Sequence, residues 1–251
     1  MRHLFTPEGE AALAATMHRQ PLLAFDFDGT LAPIVARPDD ARVSQAIARR
    51  LDLLGSALPL AIISGRTIDD VRSRLAFEPR FIIGNHGAED PFLELASAIA
   101  HVFDPLRMRL QAHAQQLEAA GVAIEDKLQS LALHYRLARD RERAIEVIQQ
   151  VLSGLEADIE AYAGKLVVNI VARNAPDKAD AVASLVRRSG VTSAIFMGDD
   201  LNDEPVFQRA EPLWLTVKVG RDVQGSQAMF YLDNFGEVAS VLDRMLTLLP
   251  H

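Results

Sequence analysis

The 251-residue chain contains no cysteine, which excludes disulfides, thiolate metal sites and a cysteine nucleophile. Lysine is nearly absent too. It occurs only at Lys127, Lys165, Lys178 and Lys218, against a basic complement that is otherwise arginine. A lysine kept in such a chain is either a chance remainder or marks a seat for a compact ammonium rather than a planar fork. No apolar run approaches the ~18 residues that a membrane span needs, and Glu8 and Glu10 stand just ahead of the first Ala-rich stretch, unlike a signal peptide. A soluble, cytoplasmic protein is expected. Positive charge is in deficit, with 26 Lys and Arg against 34 Asp and Glu, a net charge of -8. A field of that sign repels nucleic acid and anionic lipid, so neither is expected as a partner. Hydrophobic residues at 49% and charged residues at 24% suit an ordinary folded chain, and the length leans towards two domains.

The pattern along the chain reads as strand and helix in alternation. Thr6-Pro7 starts a helix running to about Arg19, Leu22 to Phe25 is a buried strand ending at Asp26, and Ser44 starts a second helix. Leu58 to Ile63 is a strand ending at Ser64-Gly65-Arg66, Thr67 caps a helix, and Phe81 to Ile83 ends at Gly84-Asn85-His86-Gly87. After a middle segment the alternation resumes: Pro176 opens a helix to about Arg188, Ala194 to Met197 and Leu213 to Val217 are strands, and a last helix spans about 235–248. This predicts a doubly wound, Rossmann-like parallel-sheet core, with ligands bound at the carboxyl ends of its strands. The middle segment, 104–173, reads as helix (104–120), strands 122–125 and 130–136, helix 140–152, and strands 158–162 and 166–171. It predicts an inserted α/β cap lobe with a four-stranded antiparallel sheet. The core is then 1–103 with 174–251, and the hinges lie near 103 and 173.

Two strand ends are acidic. Asp26-Phe27-Asp28-Gly29-Thr30-Leu31 places two carboxylates on one side by the two-residue period of a strand. Gly198-Asp199-Asp200-Leu201-Asn202-Asp203 adds three more. Either loop alone could be a solvated turn or a helix cap. Brought to one crevice, four or five carboxylates require a hard divalent cation, and oxygen-only ligation suits Mg²⁺. Between the loops lie Ser64, after an apolar strand, and Lys178, at a helix start. A hydroxyl, backbone N–H groups and an ammonium there form a cradle for a phosphate dianion.

D-x-D-G-T, S-G-R, Lys and G-D-D-x-x-D, in that order, resemble the haloacid dehalogenase superfamily of aspartyl phosphotransferases, a resemblance that covers the whole core. Gly84-Asn85-His86-Gly87-Ala88-Glu89, Glu125-Asp126-Lys127, His134-Tyr135-Arg136 and Gly164-Lys165 are similar to motifs of its trehalose-6-phosphate phosphatase family. The resemblance implies a hydrolase with Asp26 as nucleophile, Asp28 as acid and then base, and Lys178 as the cation beside them. Mg²⁺ is implied on Asp26, the Asp28 carbonyl and Asp199, with Asp200 and Asp203 holding metal-bound waters or orienting Lys178. Ser64, Gly65, Lys178 and Asn202 are implied to bind phosphate. A phosphorylated disaccharide is the implied substrate, read by Arg66, His86, Glu125, Lys127, His134, Lys165 and Asn169. By the two-residue period Glu125 pairs with Lys127 on one strand face, and His134 with Arg136 on another.

Two positions depart from the family pattern. Asn169 stands where an acid is usual, and Ala179 follows Lys178 where glycine is usual. The first keeps sucrose phosphate and mannosylglycerate phosphate open as substrates. Beside these enzymes stands a second class, a catalytically silent sugar-phosphate sensor or subunit, against which the intact Asp26, Asp28, Lys178 and Asp199 argue. The residues say nothing of oligomeric state.

Overall fold

The computed structural model describes residues 1–35, 37–92, 100–222 and 224–249. The chain divides into two compact units, Met1–Gly87 with Pro176–His251, and Ala88–Ala175. The expected 104–173 lobe lies within the second. Phe103 is buried in that unit's core, and the Arg173 amide bonds the Asp158 carbonyl at 2.8 Å.

The first unit begins with β1 (Arg2–His3), α1 (Pro7–Met17), β2 (Leu22–Phe25), α2 (Gln45–Ala57), β3 (Leu60–Ile63), α3 (Ile68–Arg74) and β4 (Phe81–Ile83). Each of these helices starts where a hydroxyl satisfies an orphan N–H of the first turn: Thr6, Ser44 and Thr67 accept from Gly9, Ile47 and Asp70.

The second unit holds α4 (Asp104–Ala112), α5 (Ala114–Ala119), β5 (Ala123–Asp126), β6 (Ser130–His134), α6 (Arg141–Val151), β7 (Ile159–Gly164) and β8 (Val167–Ala172). The single helix expected over 104–120 is broken at His113, whose ring Nδ1 turns back to the Arg109 carbonyl at 2.9 Å. The four strands form one antiparallel sheet in the order β5-β6-β8-β7. Leu131, Leu133, Ile159 and Ile170 bury one face against α4, α5 and α6. The other face carries Glu125, Ala132, Asn169 and Tyr162, aligned across the sheet by the register Glu125–Ala132–Asn169–Tyr162.

The chain returns through α7 (Lys178–Ser189), β9 (Ala194–Gly198), α8 (Glu204–Gln208), β10 (Leu215–Val219), β11 (Phe230–Leu232) and α9 (Val238–Thr247). The first unit's sheet has seven strands, all parallel, in the order β1-β11-β10-β9-β2-β3-β4. Alternate residues of β2 serve opposite faces. Leu23 and Phe25 pack with Leu51 of α2 and Leu242 of α9, while Leu22 and Ala24 pack with Val182 and Leu185 of α7. That is the doubly wound arrangement. The two strands at one edge, β1 and β11, are absent from the sequence reading, and β10 lies two residues later than expected. Among the described residues no helix is long and apolar enough to cross a membrane.

Candidate active site

The buried charges of this unit centre on Lys178. Its helix was expected to open at Pro176. Instead Asp177 is the N-cap, accepting from the Ala179 and Asp180 amides at 2.9 and 3.0 Å, so Lys178 is the first helical residue. Its side chain is fully buried, and Nζ donates to Asp26 Oδ1 and to Asp203 Oδ1, each at 2.6 Å. An ammonium out of water is tolerable only with such partners. Burial pulls its pKa down, but the Asp203 and Asp26 carboxylates outweigh burial and hold it above the usual lysine range.

Asp26 leaves the end of β2, with its amide on the Met197 carbonyl of β9 at 2.9 Å. Burial is the main cause that lifts its carboxyl well above the usual carboxylate range. Lys178 opposes that rise, while Asp203 and Asp199 add to it.

The two acidic loops share one pocket. Gly29 has φ +87°, and a methyl group there would overlap the Asp199 carboxylate. Carboxylate oxygens of Asp26, Asp199 and Asp203 lie within 4.8 Å of one another, all buried. One ammonium against three carboxylates leaves the pocket negative. The donors are all oxygen and the pocket is tight, which fits a hard divalent cation. Gly29→Ala, strained at its φ and driven into Asp199, is expected to cost about 1–3 kcal/mol of stability and most of the turnover. Thermal melts and a phosphatase assay check this.

Asp203 is committed within the protein. Oδ1 takes Lys178, and Oδ2 accepts the amides of Asp199 and Asp200 at 2.8 and 2.9 Å. It thus aims Lys178 and shapes the loop that presents Asp199. Asp200 caps the short 3-10 turn Leu201–Asp203 through the Leu201 amide.

Ser64 follows β3, buried, and its hydroxyl accepts the Arg66 amide at 3.1 Å. The Gly84–Gly87 turn folds back on it. The His86 amide bonds the Ser64 carbonyl and the Asn85 amide bonds the Arg66 carbonyl, each at 2.9 Å. Asn85 and His86 both have positive φ, at 48° and 60°, backbone strain of the kind that surrounding structure must hold in place. Gly65 admits the His86 ring where a side chain would clash.

Asn202 Oδ1 and Thr30 Oγ1 are buried and meet no partner among the described residues. The only sequence signal for Thr30 is its place in D-x-D-G-T.

Asp28 is gripped by an arginine instead of by Lys178. Its Oδ2 and Oδ1 accept from Arg66 Nε and Nη2 at 2.7 and 2.8 Å, and Arg66 Nη1 donates to Asp70 Oδ2 at 2.7 Å. Arg66 is therefore engaged by carboxylates at three nitrogens in this structure.

In the second unit, Glu125 Oε2 lies 2.7 Å from His134 Nε2 and 3.6 Å from Lys127 Nζ. Asn169 is buried on the same sheet face, with Tyr162, unremarked in the sequence, opposite it. Lys127 and Arg136 are not on strands as the two-residue period implied. β5 ends at Asp126 and β6 at His134, and Leu128, with φ 66°, carries the turn that follows. Lys165 is exposed in the turn between β7 and β8.

A trehalose-phosphatase family model matches residues 24–228. The chain is 33% identical over 233 residues to trehalose-6-phosphate phosphatase of Escherichia coli K12, covering 90% of this chain and 86% of that one. It is 34% identical over 215 residues to a probable trehalose-phosphate phosphatase of Sinorhizobium fredii, covering 82% and 80%. The fold matches the C-terminal domain of the Candida albicans trehalose-6-phosphate phosphatase with a TM-score of 0.80 at 23% identity, covering 95% of this chain and 96% of that one. A family match across both acidic loops, on a chain whose structure seats both in one buried pocket, leads to one conclusion: this chain belongs to the trehalose-phosphatase family.

Proposed function

We propose that this chain hydrolyses trehalose 6-phosphate to trehalose and phosphate through an aspartyl-phosphate on Asp26, with Mg²⁺ as cofactor. The observation that carries the reading is the buried cluster in which Lys178 bridges Asp26 and Asp203 beside Asp199. The relatives' names supply the substrate class.

Asp26 attacks the phosphorus in line and the sugar oxygen leaves with a proton from Asp28. Transition-state charge spreads over the equatorial phosphoryl oxygens, so positioned cations do most of the work. Lys178 supplies one, set at a fixed distance by Asp203. Ser64, the backbone at Gly65, and Asn202 with its amide rotated to present NH₂ supply neutral donors. Mg²⁺, held by Asp26, Asp199 and the Asp28 carbonyl, would add charge from a second direction when bound. Water then attacks the acyl-phosphate and gives its proton to Asp28, which frees phosphate and restores Asp26.

Sugar recognition is assigned to the polar sheet face of the second unit. Glu125, His134 and Lys127 combine an acceptor with donors, as vicinal hydroxyls require, and Asn169 adds an amide that can do both.

Phosphate release from trehalose 6-phosphate, sucrose 6-phosphate and glucose 6-phosphate, with Mg²⁺ and with EDTA, tests the reading. The first is expected to be turned over at least about tenfold faster than either other, a gap of roughly 1.4 kcal/mol in transition-state binding, and only with Mg²⁺. Glu125→Gln is expected to raise the KM for trehalose 6-phosphate severalfold and leave glucose 6-phosphate turnover unchanged. Equal rates on all three sugars would sink the substrate assignment.

A further inference from the structure

Behind Asp28 the structure builds a chain of alternating charges. Arg66 grips both Asp28 oxygens and reaches Asp70 with its third nitrogen. Asp70 Oδ1 accepts from Arg74 Nε at 2.9 Å and also from Arg74 Nη2. Arg74 Nη1 ends on the main-chain carbonyls of Asp39 and Ala41 at 2.7 and 3.3 Å. The two ends differ in exposure: the Arg74 side chain is 5% exposed and the Asp28 side chain 41%, with Asp70 at 30% and Arg66 at 11% between them. The buried end is thus fixed to backbone, and the open end is a carboxylate with a chemical task. Arg66 is further fixed by its guanidinium 5.5 Å over the Phe27 ring. Asp70 stays ionised because the hydrogen bonds from Arg74 and Arg66 outweigh its burial and hold it below the usual range.

An isolated ion pair as open as Asp28–Arg66 stabilises little, so fold stability is a poor reason for three aligned, charged side chains. A bidentate fork does fix the plane of a carboxylate, and only a guanidinium can grip one carboxylate with two nitrogens while a third holds another.

We propose that Arg66, Asp70 and Arg74 are positioning residues that hold the Asp28 carboxylate as an acceptor for the attacking water, and that Arg66 is not a sugar contact. This rests on the aspartyl-phosphate reading. In the step concerned the water oxygen bonds to phosphorus, the bond from phosphorus to the Asp26 oxygen breaks, and one water proton passes to Asp28. The relay therefore serves the second half-reaction. When it is loosened, the phosphoenzyme accumulates.

The test uses p-nitrophenyl phosphate, whose leaving group needs no acid, in stopped-flow burst measurements on the Mg²⁺-loaded protein. The wild type, Asp28→Asn, Arg66→Lys and Asp70→Asn are compared. Asp28→Asn is expected to release a burst of p-nitrophenolate approaching one per chain and then turn over slowly. Arg66→Lys and Asp70→Asn are expected to show the same burst, with kcat on trehalose 6-phosphate down about ten- to a hundredfold and KM no higher than wild type. Two variants are used so that poor folding of one does not decide the matter. A burst in Asp28→Asn with none in the other two overturns the relay alone, as does a raised KM with intact kcat in Arg66→Lys. No burst in Asp28→Asn overturns the role of Asp28 as base, and the relay with it.

Discussion

Asp26→Asn is expected to lose at least about 10⁴-fold in kcat, yet to melt at a higher temperature than the wild type once divalent ions are removed. The two effects share a cause. The carboxylate proposed to attack phosphorus sits in a buried pocket with two others and one ammonium. Burial, with Asp203 and Asp199 behind it, lifts the Asp26 carboxyl well above the usual range, against the pull of Lys178. As pH rises above about 4 the unfolded chain releases this proton first, and the folded, metal-free protein releases it only at higher pH. Stability of the metal-free protein therefore falls as pH rises from about 4 through the folded-state value, by at most about 1.4 kcal/mol per pH unit from this group. Asn carries no charge and removes that slope. Melting curves in EDTA between pH 4 and 8, for wild type and variant, show whether the slope belongs to Asp26. A variant that melts lower than wild type at every pH contradicts the excess of negative charge.

Lys178→Met has the opposite sign on stability. It leaves Asp26 and Asp203 without their shared cation in a site closed to water. Removing one partner of a buried ion pair costs about 3–5 kcal/mol, and here two carboxylates lose their partner together. Turnover is expected to fall about 10³-fold, because the ammonium proposed to face the phosphoryl oxygens is gone. Lys178→Arg is not expected to rescue it, since a planar fork has no room in a seat with no exposed surface. Denaturant melts and steady-state kinetics on the same preparations check both halves. A Lys178→Met protein as stable as wild type would show that Asp26 and Asp203 are not held charged by it.

The sequence made the central elements legible because they are local. β2 is four apolar residues ending at an aspartate, and Leu22–Phe25 was read with the bounds it has in the structure. Ser44 and Thr67 announce their helices as caps. The pairing of the 26 and 199 loops was also foreseeable, since parallel strands of one sheet deliver their carboxyl ends to one edge. What escaped reading is long-range or too short to have a period. β1 has two residues, β11 has three, and each is a strand only because β10 and its neighbours extend the sheet to them. A two-residue period pairs Lys127 with Glu125 but does not say where a strand stops, and the turn at Leu128 decides that. The engagement of Arg66 by Asp28 and Asp70 joins residues 38 apart in sequence with a pair four apart, and no local pattern records it. Tyr162 became visible only once register put it opposite Asn169.

The shared pocket is tested most directly by counting bound Mn²⁺ with electron paramagnetic resonance, and displacing it with Mg²⁺, on wild type, Asp26→Asn and Asp199→Asn. One displaceable ion per chain is expected in wild type, and affinity at least about tenfold weaker in each variant, as loss of one charged oxygen ligand of a hard cation implies. Unchanged affinity in Asp199→Asn would mean that the two acidic loops, though adjacent, do not hold one ion between them.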